Sequence, residues 1–180
     1  PEIFSELLTN HSSTFNAIND LLQNVIRFFD EVVSTLPSAN ALKDAEASVR
    51  RELEQANRLA QKLIVQSQRK IEMSAGLILL GIISNLEILG QALSSLARFD
   101  LSNSEHMVLK RSWGAIVKQY EAIWIGDPAQ HRKPKKIHSS SSRMGRIRGS
   151  GRNIDFEKNL ETMMEISKCF SRTMKLSLAA

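Results

Sequence analysis

The densest chemistry in this chain is a run of cations. From His131 to Arg152 the sequence reads HRKPKKIHSSSSRMGRIRGSGR, and eight Lys or Arg (Arg132, Lys133, Lys135, Lys136, Arg143, Arg146, Arg148, Arg152) stand there with no Asp or Glu among them. Closely spaced guanidinium and ammonium groups settle on phosphates and release condensed counterions, and Arg-Gly spacing suits RNA binding without strict sequence preference. The same charges suit anionic lipid head groups, at about 1 kcal/mol per basic side chain near the surface. Arg132-Lys133-Pro134-Lys135-Lys136 also has the composition of a nuclear-import signal, should the source be eukaryotic. The bland counterpart is a solvated loop with no partner. Ser139 to Ser142 and Ser150 lie among these cations. Each phosphate placed there would subtract about 1.5 to 2 charges and loosen an electrostatic partner, although loops are built from serine in any case.

No other grouping of reactive side chains stands out. His11, His106, His131 and His138 have no second His, Cys or carboxylate at a metal-ligand spacing, and no serine sits in a GxSxG turn. The expectation is a non-enzyme with no cofactor, no metal and no small-molecule substrate. His11, on an apolar stripe, reads as a helix-end or seam residue with a satisfied hydrogen bond. Cys169 is the single cysteine, so no intramolecular disulfide forms, and a reducing intracellular compartment, nucleus or cytoplasm, is expected. The opening PEIFSELLTNHSS lacks the pattern of a secretory signal. Trp113, Tyr120 and Trp124 share one helical face. Such rings stack on bases or anchor partners, but Lys110, Arg111 and Lys118 lie on other faces, so a core stripe whose polar edges each find an acceptor is expected. Glu87, beside an apolar run, reads as exposed or paired, in preference to buried with a raised pKa.

The cations are concentrated, not spread. The whole chain carries +5, yet without those eight residues 16 basic face 19 acidic ones, a net of −3. An electrostatic partner should therefore meet one basic element on a mildly acidic body.

The elements that must carry these residues read as helices. Gly (8) and Pro (4) are scarce among the 180 residues, and Leu, Ala, Glu, Lys, Arg, Gln and Ile dominate, which disfavours strands and frequent turns. Phe4, Leu8, His11, Phe15, Ile18, Leu22, Val25, Phe29, Val32 and Leu36 step by three and four, predicting a helix over 2–36 that either runs unbroken or breaks near Thr9 to Ser13. Pro37 ends it. A second helix over 39–73 presents an alanine-rich seam, with Leu42, Ala45, Val49, Leu53, Ala56, Ala60 and Leu63, and the short linker turns it back on the first. A third spans 74–99 and opens on the apolar run Ala75 to Ile83, read as covered on every side. Only 14 uncharged residues separate Glu72 from Glu87, short of the roughly 20 a membrane span requires. Ser102 with Glu105 fits a capping box that starts a fourth helix to residue 125, and Gly126 with Pro128 stops it. Residues 127–152 read as a basic flexible loop, and 153–180 as a last helix carrying Phe156, Leu160, Met163, Phe170 and Met174.

The resulting expectation is an all-α, elongated up-and-down bundle of four to five helices with a long N-terminal α-hairpin. Its coiled-coil-like stripes predict self-association or a protein partner. Function is expected to be that of a non-enzymatic assembly or scaffold subunit whose basic loop binds nucleic acid. The alternative is a membrane-associated or membrane-active protein using segment 75–83 and the basic loop.

Overall fold

The computed structural model describes residues 2–125 and 152–179. Over these the chain is all-helical, with α1 Glu2–Asn10, α2 Ser12–Thr35, α3 Ala39–Gln66, α4 Lys70–Ala97, α5 Asn103–Ile125 and α6 Arg152–Ala179.

The stripe read as one helix, unbroken or broken near Thr9 to Ser13, is divided in two inside that interval. His11 leaves helical geometry at φ −136°, ψ 36°, and α1 turns back so that Phe4 lies 5.5 Å from Phe15 and 5.3 Å from Trp124, ring centre to ring centre. Neither Gly nor Pro causes the break; the groove that accepts Ile3, Phe4 and Leu7 does, burying all three. Downstream the stripe holds, with Phe15, Ile18, Leu22, Val25, Phe29 and Val32 buried. Leu36, before Pro37, closes α2 in the left-handed region at φ 45° and donates its N–H to the Val32 carbonyl at 3.0 Å. Ser38 then caps α3 by accepting from the Ala41 N–H.

α3 ends seven residues, and α4 starts four residues, before the expected boundary. The change of composition at Ser74 is not the turn: α3 ends at Gln66 and α4 starts at Lys70. Ser67 donates to the Leu63 carbonyl at 2.6 Å and takes an extended conformation (φ −66°, ψ 127°), which ends the helix locally. Gly76 then lets α4 approach so closely that a Cβ there would stand 2.6 Å from Ile64 Cγ1. At the next junction Ser102 accepts from the Glu105 N–H at 3.2 Å, the first half of the capping box, while the Glu105 carboxylate turns back to accept from the Ser102 hydroxyl at 2.9 Å in place of the backbone N–H of the full pattern.

α2 and α5 are antiparallel. Contacts pair Val33 with His106, Phe29 with Trp113 and Phe15 with Trp124, in reverse order along the two helices. α5 and α6 pack against each other, and Tyr120 and Phe170 meet there at 5.9 Å, edge to face. The buried Met163, Ile166 and Phe170 repeat the spacing of the buried Trp113, Ile116 and Tyr120. α2, α4, α5 and α6 enclose the main core, α3 packs outside against α2 and α4, and α1 lies against α2, α4 and α6.

Candidate functional site

The cationic residues singled out from the sequence are not ones whose geometry is described. Arg132, Lys133, Lys135, Lys136, Arg143, Arg146 and Arg148 lie outside the described residues, as do the serines among them, and Arg152 is the first residue of α6. What the structure does locate is the body that carries them.

The tryptophan and tyrosine stripe is core. Trp113 is 4% exposed and Tyr120 fully buried, within a cluster that joins Phe4, Phe15, Trp124, Tyr120 and Phe170 from α1, α2, α5 and α6. The Trp113 indole donates to Asp30 Oδ1 at 2.9 Å, so this polar edge is satisfied as expected. The other two are not. The Tyr120 hydroxyl and the Trp124 indole N–H are buried with no hydrogen-bond partner. Burial pushes the Tyr120 hydroxyl well above its ordinary pKa, and the neighbouring indole offsets this in part without completing a bond.

The carboxylate that matters is Glu72, which the sequence pattern placed inside a helix and passed over. Glu87 is exposed, as read. Glu72 is 3% exposed, the one charged side chain buried among the described residues. It occupies the first turn of α4, where its Oε2 accepts the Gln68 N–H at 3.2 Å, a reach back across the helix start typical of a glutamate at the third helical position. Its Oε1 accepts from Asn10 Nδ2 at 2.7 Å, and His11 Nε2 stands 3.6 Å from Oε2. The Asn10 amide holds the carboxyl below the usual carboxylate range; burial opposes it, and the Gln68 and Arg69 backbone N–H groups and His11 add to the lowering. Beside it Arg69 pairs with Glu6 at 2.8 Å. The one local signal for Glu72 is a glutamate three residues after Arg69; nothing local marks its partners 61 and 62 positions away, on the α1/α2 joint.

α4 does not match the expectation of a run hidden on all sides. Ala75, Gly76, Leu79, Ile82 and Ile83 are buried, but Leu77 is 56% exposed, and Met73 and Ile88, one helical face with it, are exposed too. By length and composition alone α4 is the one helix among the described residues that could cross a membrane, with less than half of its apolar window buried. Between α2, α3 and α4 there is a groove of about 490 Å³, lined by the apolar Phe29, Val49, Leu53 and Leu93 and by Arg50, Glu54, Glu87 and the Arg98–Glu46 pair.

Among the described residues no cluster of His, Cys, Asp or Glu is arranged to hold a metal ion. Cys169 is half-buried and unpaired by any disulfide. His106 binds the Val33 carbonyl at 2.7 Å and so serves as a clamp between α5 and α2. The arrangement as a whole offers surfaces and one buried ionic node. Comparison with family models, with curated proteins and with solved structures finds no match to this chain.

Proposed function

We propose that this chain is a non-enzymatic helical assembly or scaffold subunit, in a reducing compartment, that binds nucleic acid through the cations of segment 131–152. The observation that carries this reading is the segregation of charge: eight basic residues in one short acid-free stretch, against a net of −3 elsewhere. A body of that sign does not attract phosphate, so binding falls to the segment alone. We read α2 and α3 as a long antiparallel hairpin, and the exposed apolar residues of α4 as a face for association.

Affinity for RNA and DNA should fall steeply with salt and vary little with sequence. Replacing the eight basic residues by Ser or Gln should abolish binding and leave the circular dichroism spectrum unchanged. If the neutral variant binds as well as the parent, the reading fails. The mass of the purified protein in solution, with its absorbance ratio recorded for co-purifying nucleic acid, tests the assembly part separately.

A second reading rests on the exposed Met73, Leu77 and Ile88 of α4: attachment to an acidic membrane, with the basic segment on head groups. Flotation with liposomes with and without anionic lipid separates the two readings.

A further inference from the structure

We infer that α1 is a hinged flap, held folded back by Glu72, whose second resting position is as the first turns of one helix continuous with α2.

Four observations meet at this joint. First, the apolar period runs through it from Phe4 to Phe15 without a phase change, and no Gly or Pro interrupts the chain from Glu2 to Leu36. Local sequence therefore favours continuation. Second, the break is confined to His11, whose side chain makes no capping bond to α2. On both sides the helical pattern survives, with His11 N–H donating to Leu7 O at 2.8 Å and Phe15 N–H to His11 O at 2.9 Å. Only the first-turn amides of α2 at Ser12, Ser13 and Thr14 lack a helical acceptor, which a straight helix would supply from Leu8, Thr9 and Asn10. Third, Leu8, a member of the continuous stripe, is 47% exposed in the folded-back position, while Leu7 is buried instead. Fourth, the folded-back flap stacks Phe4 on Trp124, whose indole N–H is buried with no partner. Buried polar groups without partners oppose the state that buries them, so opening relieves a cost that closing imposes.

What opposes opening is the burial of Ile3, Phe4 and Leu7 together with the ionic node. Glu72, on α4, holds Asn10 and His11, the last residue of α1 and the joint itself. The exposed Arg69–Glu6 pair adds a second, weaker tie between the same elements. Removing the Glu72 charge leaves one oxygen for Asn10 but sets an NH2 donor against the Gln68 N–H and ends the attraction to His11, which weakens the tie at the joint and lets the local preference for a straight helix tell.

The test uses the full chain with Trp113→Phe, which leaves Trp124 as the only tryptophan, and compares it with the same chain carrying Glu72→Gln or, separately, His11→Ala. The second change deletes a partner of Glu72 and puts the strongest helix former at the joint, so it serves even where Glu72→Gln does not fold. Expected are a several-fold rise in acrylamide quenching of Trp124, slower hydrogen exchange at the amides of Ser12, Ser13 and Thr14, and unchanged helicity by circular dichroism. Quenching unchanged in every variant that folds would overturn the flap. Quenching that rises while helicity drops and those three amides stay fast would overturn it too, since α1 would then melt instead of continuing α2.

Discussion

Glu72 shows how one residue's environment sets its sign of response to pH. Its folded-state pKa lies below the ordinary carboxylate value because the Asn10 amide, backbone N–H groups and His11 favour the ionised form more than burial disfavours it. A depressed carboxylate stabilises the fold at neutral pH, and that contribution disappears as pH falls through the ordinary carboxylate range and below. The groups facing it are His11 from the joint and the backbone at Gln68 and Arg69, while the Arg69 guanidinium is engaged by Glu6. Glu72→Gln should therefore be less stable than the parent at pH 7, with the gap closing steadily below about pH 4.5. Urea unfolding of both proteins from pH 7 to pH 3 measures this, and a gap that stays constant over that range refutes the assignment. Trp113 tests a neutral donor against an acid. Trp113→Phe keeps most of the ring and removes the donor to Asp30, so it should cost about 1 to 3 kcal/mol in denaturant unfolding. Asp30→Asn retains an acceptor and should cost less.

The helices themselves were legible from apolar spacing because burial selects one face of each, and the face from Phe15 to Val32 is buried as the spacing requires. The joints at Pro37 and Ser102 were legible too, whereas the break between Thr9 and Ser13 was only one of two readings and the α3/α4 joint was misplaced, because neither of these is set by Gly, Pro or a capping pattern. α1 breaks from α2 at a histidine for the sake of an aromatic cluster drawn from four helices, and α3 ends with neither Gly nor Pro while the apolar run expected to open the next helix lies inside α4. Capping chemistry was readable where side chain and backbone are three residues apart, as at Ser102 and Glu105; the Glu72 node, whose members are some sixty positions apart, was not. Two glycines of α4 separate local from tertiary demands in one helix. Gly76→Ala should destabilise by about 1 to 3 kcal/mol, since its Cβ would meet Ile64 Cγ1 at 2.6 Å, and Ile64→Ala in the same chain should recover part of the loss. Gly81→Ala meets nothing within 4 Å and should stabilise by about 0.5 to 1 kcal/mol through helix propensity. Thermal unfolding of the three variants checks the contrast; equal effects at both glycines would mean that α3 and α4 do not approach as described.

At the scale of the whole molecule, charge and packing are divided between neighbouring stretches. Residues 126–151 carry seven of the eight clustered cations, while α6, which follows, contributes the buried Met163, Ile166, Phe170 and Met174. Spacing of apolar residues carries no direction, so the sequence marked α6 as a packed helix without saying which neighbours receive it; those are set by long-range contacts, Phe170 with Tyr120 at 5.9 Å and the packing of α6 on α4 and α5. Replacing 127–151 by a neutral Gly/Ser linker of the same length should therefore preserve the fold and abolish binding to nucleic acid. Phe170→Ala should do the reverse, costing about 3 to 5 kcal/mol of stability while the cations and the binding they carry remain. Thermal unfolding and a filter-binding assay on both variants separate the two effects, and a neutral linker that unfolds the chain as Phe170→Ala does would show that the cationic stretch serves the fold and not a partner.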